Sequence, residues 1–341
     1  MPHRALVIGL GAAVAPHVAS LLELAPRVEI AAAWSRSPAR RAAFAARFPQ
    51  VRVSEDVHAL IEDPSIDLAL LLTPPDAREG FVHRLAAARK HVLCEKPLER
   101  TSSAAERIVR ICDSAGVRLA VMFQMRMRPA TRRLRRLLDE GALGRLGFVE
   151  IRVPWWRPQR YYDEPGRGTL LRDGGGVLIT QAIHTLDLAL HLLGPVREVA
   201  AVAGTTPLHE METEDFAAAG LVFESGLLGS LFATTACFPG APERIEIVGS
   251  EAAAVLEGGG LSLRRPDGGV EELVPPEPTG AGAAFMDFPH DAHRAVIEDF
   301  LDALDQGREP ANSGRSALPV QHLIEAVLRS ARSGRRERVP S

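Results

Sequence analysis

The tripeptide Glu95-Lys96-Pro97 closes the apolar run His91-Val92-Leu93-Cys94 and so puts a lysine ammonium at the carboxyl end of a buried strand. In a doubly wound sheet, ligands bind in the crevice outside the strand ends. The chain opens with Ala5-Leu6-Val7-Ile8-Gly9-Leu10-Gly11-Ala12-Ala13, an apolar strand that runs into a glycine turn and then a helix. That order is what a turn under a dinucleotide pyrophosphate requires. The third glycine of the fingerprint is replaced by Val14, and Ala12, Ala13 and Ala15 supply the smallness instead. The lysine and the turn together imply nicotinamide-dependent redox chemistry.

Where the second strand ends, a fold for NAD places an acid on the ribose 2′-hydroxyl, and this chain has Ser35-Arg36. A hydroxyl and a guanidinium suit a 2′-phosphate, so NADP is favoured over NAD. The competing reading makes Arg36 a surface arginine beside a helix start at Ser37-Pro38. Pro154-Trp155-Trp156-Arg157-Pro158-Gln159-Arg160-Tyr161-Tyr162-Asp163 is dense in aromatic and polar groups for a chain with three tryptophans and two tyrosines. Aromatic faces stack on sugar C–H surfaces, so Trp156 is a candidate platform, while Arg157, Gln159 and Tyr162 supply directional hydrogen bonds. The same aromatics could instead plug a domain junction. Arg167 and Arg172 could meet a carboxylate or phosphate. His290 and His293 lie three apart, but no third ligand is indicated, so no metal is expected.

These groups need a scaffold, and 341 residues with 46% hydrophobic and 24% charged side chains can build one, with a length that suggests two domains. The net charge of −3 and the scattered basic residues favour neither a nucleic acid nor a membrane surface; Arg132-Arg133 and Arg135-Arg136 read as a solvated helix face. Cys94, Cys112 and Cys237 lack metal-ligand spacing and cannot all pair, which fits a reducing compartment, with the cytoplasm as default. The run 6–15 could pass for a signal-peptide core, but Gly9 and Gly11 interrupt it, and no run reaches the roughly 18 apolar residues of a membrane span.

Apolar strands at 5–8, 28–34, 68–72, 91–94 and 118–122 alternate with helices at 13–24, 38–48, 77–88 and 104–115. Strict alternation predicts right-handed crossovers and a parallel sheet, a Rossmann-type domain over 1–122. From 123 to 341 the pattern becomes α+β. A basic helix at 130–140, a strand at 148–154 and a helix at 177–193 precede strands at 198–203, 216–223, 227–236, 244–248, 252–257 and 261–265. Short glycine-bearing turns between them predict a large, mostly antiparallel open sheet with helices on one face. Its other face calls for a partner subunit, so a homo-dimer or homo-tetramer is expected. A Pro/Gly-rich loop at 275–284 and helices at 293–306 and 317–330 close the chain.

At this point the chain resembles the glucose-fructose oxidoreductase / inositol dehydrogenase / rhizopine catabolism family, written Gfo/Idh/MocA. The likeness rests on Gly9-x-Gly11, Thr73-Pro74-Pro75, Glu95-Lys96-Pro97, Gln124-x-Arg126-x-x-Pro129, and Gly174-Gly175-Gly176 followed by His184 and Asp187. These residues span both domains in order. The resemblance implies a nicotinamide along the first domain, contacted by Thr73, Pro74, Glu95, Pro97 and Gln124, and a sugar, polyol or sugar-acid substrate, with Arg126 among its ligands. It also implies a cis Lys96-Pro97 bond and a Lys96 that donates to the reacting oxygen, stabilising the charge that grows as hydride leaves. His184 carries over to the proton-relaying histidine. Four residues earlier, where many members have Asp, stands Thr180, which can hydrogen-bond substrate but cannot act as a carboxylate base. By the aromatic loop and the Asp173-Gly174-Gly175-Gly176 run, the chain resembles sugar-acid or nucleotide-sugar 3-dehydrogenases within that family. Two further readings stay open: a redox-neutral nicotinamide-dependent glycosidase, and a catalytically silent dinucleotide sensor.

Overall fold

The computed structural model describes residues 1–11, 13–277 and 289–340, and the chain divides into two compact units. The first comprises Met1–Gln124 and His290–Leu318, the second Met125–Pro289 and Pro319–Ser341.

In the first unit, strands and helices alternate as β1 (His3–Ile8), α1 (Val14–Glu23), β2 (Val28–Trp34), α2 (Pro38–Arg47), β3 (Arg52–Val53), α3 (Val57–Glu62), β4 (Leu68–Leu71), α4 (Arg78–Ala87), β5 (His91–Cys94), α5 (Ser102–Ala115) and β6 (Leu119–Val121). The sheet order is β3-β2-β1-β4-β5-β6, and each neighbouring pair is parallel. This is a Rossmann-type domain. Residues 5–8 of β1, all of β4 and residues 92–94 of β5 are buried on both faces and read as apolar runs, as helix-covered strands must. Their carboxyl ends carry Gly9, Thr73 and Lys96 side by side, and the order reverses between β1 and β4, where such sheets bind ligands. The short β3 and α3 escaped the sequence pattern because two strand residues and six helical ones give too little periodicity to register.

The second unit begins with α6 (Pro129–Asp139), β7 (Leu146–Pro154), α7 (Gln159–Tyr162) and α8 (Ile183–Leu193). Strands β8 (Val196–Gly204), β9 (Phe216–Phe223), β10 (Leu228–Thr234), β11 (Arg244–Gly249), β12 (Ala253–Glu257), β13 (Gly260–Arg264) and β14 (Val270–Val274) follow. Helix α9 (Asp291–Gln306) then returns to the first unit, and α10 (Leu318–Ser333) and β15 (Glu337–Arg338) finish the chain. The nine-stranded sheet runs β14-β13-β12-β11-β7-β10-β9-β8-β15 and is antiparallel except where β7 meets β10. Alternation decides its faces: Val149, Ile151, Val153, Leu231 and Ala233 point into the core, while Phe148, Arg152, Leu228, Ser230 and Phe232 point away from it. The loop expected at 275–284 lies outside the described residues beyond 277.

The return of α9 differs from a division that assigns everything after 122 to the second domain. Its buried face carries Val296, Ile297 and Phe300 and packs on α1. Ion pairs from Arg27 to Asp302 and Asp305, and from Arg294 to Glu23, edge the contact.

Candidate active site

In the first unit the chain turns sharply after β1. Gly9 has φ +110°, and a Cβ there would lie 2.8 Å from the Leu72 carbonyl carbon, so only glycine lets the end of β1 pass so close to the end of β4. Gly11 and Ala13 follow in the turn that opens α1; Ala12, expected beside them on the pyrophosphate, lies outside the described residues. Ser35 is buried at the end of β2 and Arg36 is exposed. Ser37 caps α2 by accepting the Arg40 N–H at 3.3 Å, and Arg41 donates to the Ser35 carbonyl at 2.9 Å. Arg40 reaches back so far that a Cβ on Gly11 would sit 3.5 Å from its guanidinium. Arg36 is therefore joined by a second arginine beside the glycine turn.

Thr73, Pro74 and Gln124 line the ends of the neighbouring strands. Thr73 Oγ1 and Gln124 Oε1 are buried polar atoms with no hydrogen-bond partner among the described residues. Buried polar groups ordinarily have one, and a nicotinamide dinucleotide lying along the strand ends carries amide, hydroxyl and phosphate groups able to supply it. With the glycine turn and the arginines, these residues fit such a cofactor.

Lys96 follows β5 and its bond to Pro97 is cis. The buried Arg78 of α4 donates to the Thr73 carbonyl at 2.8 and 3.0 Å, to the Glu95 carbonyl, and to the Lys96 carbonyl at 3.5 Å. Glu95 turns its carboxylate inward: one oxygen meets His17 Nε2 at 2.7 Å and the other accepts the Lys96 N–H at 3.0 Å. Burial works to raise this carboxyl, but the His17 hydrogen bond and the neighbouring His17, Lys96 and His293 outweigh it and hold Glu95 far below the usual carboxylate range. Among forty basic residues, Lys90 and Lys96 are the only lysines, and Lys90 is buried with its ammonium on the Asp63 and Ile66 carbonyls. Lys96 is thus the one ammonium at the strand ends.

In the second unit, His184 stands in the first turn of α8, 8% exposed, directly after a π-helical turn over Leu178–Ala182. The Gly174-Gly175-Gly176 run leads into that turn. Glu214 caps it: its carboxylate accepts the Gly176 N–H at 3.1 Å and the Leu178 N–H at 3.2 Å, and its carbonyl accepts the Val177 N–H at 2.8 Å. A Cβ on Gly176 would fall 1.8 Å from the Glu214 carbonyl oxygen, so the glycine is obligatory. Thr180 turns its hydroxyl onto the Gly176 carbonyl at 2.6 Å and also meets the Gln181 amide.

The aromatic segment folds largely on itself. Arg157 is buried with its guanidinium 5.0 Å from the Trp155 ring centre, and burial lowers its pKa. Trp156 is half-buried against Phe238 and His209. Gln159 is held by Asp163 and by the backbone of Glu210. Arg167 lies over the Tyr161 ring and pairs with Glu164, which Arg172 also contacts at 2.9 Å.

Two residues expected on the substrate are engaged elsewhere. Tyr162 is buried with its hydroxyl 2.6 Å from Thr235 Oγ1, because its ring packs in the core rather than toward solvent. Arg126 forks onto Asp187 in a buried pair, Nε at 2.7 Å from one oxygen, which ties the entry to α6 to α8. Sequence reasoning missed Glu214, Arg40, His17 and the buried His209–Asp215 pair, whose imidazole bridges the Asp215 carboxylate at 2.8 Å and the Arg157 carbonyl at 2.7 Å. No spacing marks Glu214, 38 residues from Gly176, or His17, 78 residues from Glu95.

Two family models cover the chain in series: an oxidoreductase family with an NAD-binding Rossmann fold matches residues 3–123, and the Gfo/Idh/MocA C-terminal domain matches residues 131–255. The chain belongs to the Gfo/Idh/MocA family. Among its relatives, the myo-inositol 2-dehydrogenase of Thermotoga maritima is 26% identical over 298 residues, which is 84% of each chain. The D-apiose dehydrogenase of Paraburkholderia graminis is 27% identical over 322 residues, 90% of this chain and 82% of the relative. The WlbA dehydrogenase of Bordetella pertussis, solved with NADH and UDP-GlcNAcA, superposes with a TM-score of 0.85 at 28% identity over the whole of both chains. This Gfo/Idh/MocA protein is an oxidoreductase with a nicotinamide-binding Rossmann first domain. Among the described residues, no helix is long and apolar enough to cross a membrane.

Proposed function

We propose that this oxidoreductase interconverts a secondary hydroxyl and a carbonyl on a sugar, polyol or sugar-acid, a nucleotide sugar included, with NADP preferred over NAD. The observation that carries the reading is Lys96, fixed at the end of β5 beside the glycine turn and the Thr73 strand end. When bound, the nicotinamide supplies the hydride acceptor or donor; Gly9, Gly11, Ala13, Thr73, Pro74, Glu95, Pro97 and Gln124 are the residues that would hold it. Lys96 Nζ donates to the reacting oxygen and stabilises negative charge as it develops there. His184 moves the hydroxyl proton. Thr180, its hydroxyl occupied by backbone, steadies the turn before His184 and carries no proton charge of its own.

Trp156 offers a half-buried ring to a sugar face, with Arg157 and Gln159 next to it in sequence as hydrogen-bonding groups, and Arg167 and Arg172, which meet on Glu164, suited to an anionic substituent. The preference for NADP rests on Ser35 with Arg36 and Arg40 beside the turn. The sheet face bearing Phe148, Val202, Leu228 and Phe232 supports a homo-oligomer, since a second copy would cover exposed apolar surface. The unpaired Cys94, Cys112 and Cys237 support a cytoplasmic location.

Absorbance at 340 nm tests the reading: a panel of inositols, pentoses, sugar-acids and UDP-sugar-acids is mixed with each oxidised nicotinamide. Reduced cofactor should accumulate with at least one compound and faster with NADP. Product formation with no net absorbance change would instead establish a redox-neutral enzyme, and cofactor binding without any product a sensor.

A further inference from the structure

We propose that His17 and His293 act as positioning residues for Lys96, by holding the Glu95 carboxylate in the one orientation that fixes the Lys96 peptide. The inference rests on the assignment of Lys96 to the reacting oxygen. The three side chains come from α1, the end of β5 and α9, and meet inside the first unit. His17 is fully buried, His293 is 4% exposed and the Glu95 side chain 12%.

A carboxylate drawn into the interior is unfavourable unless it is paired and hydrogen-bonded, so its position is decided by its partners. Here His17 Nε2 takes one oxygen at 2.7 Å, leaving the other to accept the Lys96 N–H at 3.0 Å. The His293 ring stands edge-on to His17, centroids 5.4 Å apart at 85°, and closes the pocket from the α9 side. Arg78 grips the carbonyls on both sides of the Lys96 N–H. The groups facing Glu95 are therefore His17 from α1, His293 from α9 and Lys96 itself, with Arg78 of α4 acting on the backbone. The peptide that carries the lysine is held by its donor and its acceptors alike, and only the side-chain torsions remain to be set. Helix α1 starts at the glycine turn, so the clamp also links the dinucleotide turn to the lysine.

The same atoms form a His–His–Glu set, all within 4.8 Å of one another, that could be read as a metal site. Tetrahedral bonds of about 2.0–2.1 Å put neighbouring ligand atoms roughly 3.3 Å apart. The 2.7 Å separation of His17 and Glu95 is a hydrogen bond.

The test compares His17→Leu, His17→Gln, Lys96→Met and the His17→Leu/Lys96→Met double variant, using NADP+ and the compound of the panel that is oxidised fastest. Glutamine can place an N–H near the imidazole Nε2. The clamp predicts that His17→Leu lowers turnover by about 10-fold or more while NADP+ affinity changes less than about 3-fold, and that His17→Gln recovers most of the loss. It also predicts that His17→Leu adds almost nothing on the Lys96→Met background, because both act on one step. Full turnover in folded His17→Leu, or an undiminished loss on the Lys96→Met background, overturns the clamp. So does one tightly bound zinc or iron per chain whose removal abolishes turnover.

Reductive methylation with [13C]formaldehyde supplies a readout independent of the reaction, because the chain has two lysines. The Lys96 methyl resonance should move in His17→Leu and return in His17→Gln, with Lys90 unmoved. An unmoved Lys96 resonance overturns the clamp. Normal turnover in Lys96→Met with a Lys96 resonance that does move would reject the catalytic assignment alone.

Discussion

The proposed preference for NADP rests on single residues. Ser35 and Arg36 end β2 where an acid would repel a 2′-phosphate, and Arg40 stands one turn into α2, close to Gly11. Each charge-assisted hydrogen bond to a phosphate is worth about 1.5–3 kcal/mol. Replacing Arg36 and Arg40 together by Ala should therefore weaken NADP binding by at least about 10-fold and leave NAD within a few-fold, as measured by calorimetry. Tighter binding of NAD than NADP to the unaltered protein would reject the preference. The motifs placed Lys96, the glycine turn and Thr73 correctly in the chain because each is local, a strand followed by its own end. The family resemblance put Arg126 on the substrate and the aromatic, polar loop put Tyr162 there; that Asp187 and Thr235 engage them is decided by folding across 61 and 73 residues, which no local pattern records.

At the scale of elements, the two stretches proposed to carry the chemistry are held by carboxylates, Glu214 buried and Glu95 mostly so. Glu214 caps the π-helical turn before α8 through the Gly176 and Leu178 N–H groups. Glu214→Ala leaves those donors without partners, each costing about 1–3 kcal/mol, so the melting temperature should fall by several degrees and turnover should drop with it as the His184 turn loosens. A variant with unchanged melting and turnover would mean that the cap is dispensable.

Glu95 gives a pH dependence. Its native pKa is depressed below the unfolded value of about 4.3, so it is ionised in both states above that pH and its stabilisation is complete there. As pH falls below about 4.3 the unfolded chain takes up the proton first, and the stabilisation is lost. Thermal melts of the unaltered protein and Glu95→Gln should therefore differ most above about pH 5, with the gap starting to narrow near pH 4 and shrinking progressively as the pH is lowered further toward the depressed native value; a constant gap would contradict the ionised carboxylate. Most helices and strands were legible from their period, but the short β3, α3, α7, β14 and β15 were not. The π-helical turn was not, because residues 177–193 carry an uninterrupted apolar pattern that a regular helix fits equally well.

The whole molecule shows how far pattern reading extends. Alternation of strands and helices up to Val121 and the run of strands from Phe148 to Arg264 accounted for most of both sheets, since each rule depends on neighbours in sequence, while the short edge strands β3, β14 and β15 escaped them. The return of α9 to the first unit did not follow, because an amphipathic helix declares a buried face without naming what buries it. The exposed side of the nine-stranded sheet belongs to this scale too. Val202 and Leu228 are 63% and 58% exposed, and changing both to Glu should convert the proposed oligomer to monomer in sedimentation, with secondary structure intact. An unaltered protein that sediments as a monomer would remove the oligomer.

The central claim is that Lys96 acts on the oxygen of a CH–OH group, and its most direct measurement is the steady-state and pre-steady-state rate of Lys96→Met at 340 nm with the best compound of the panel. Methionine keeps the length of the side chain and removes its charge. The account predicts a turnover at least about 100-fold lower with NADP(H) affinity unchanged, equivalent to roughly 2.7 kcal/mol of lost transition-state stabilisation. A Lys96→Met enzyme that reduces NADP+ at near the unaltered rate would contradict it.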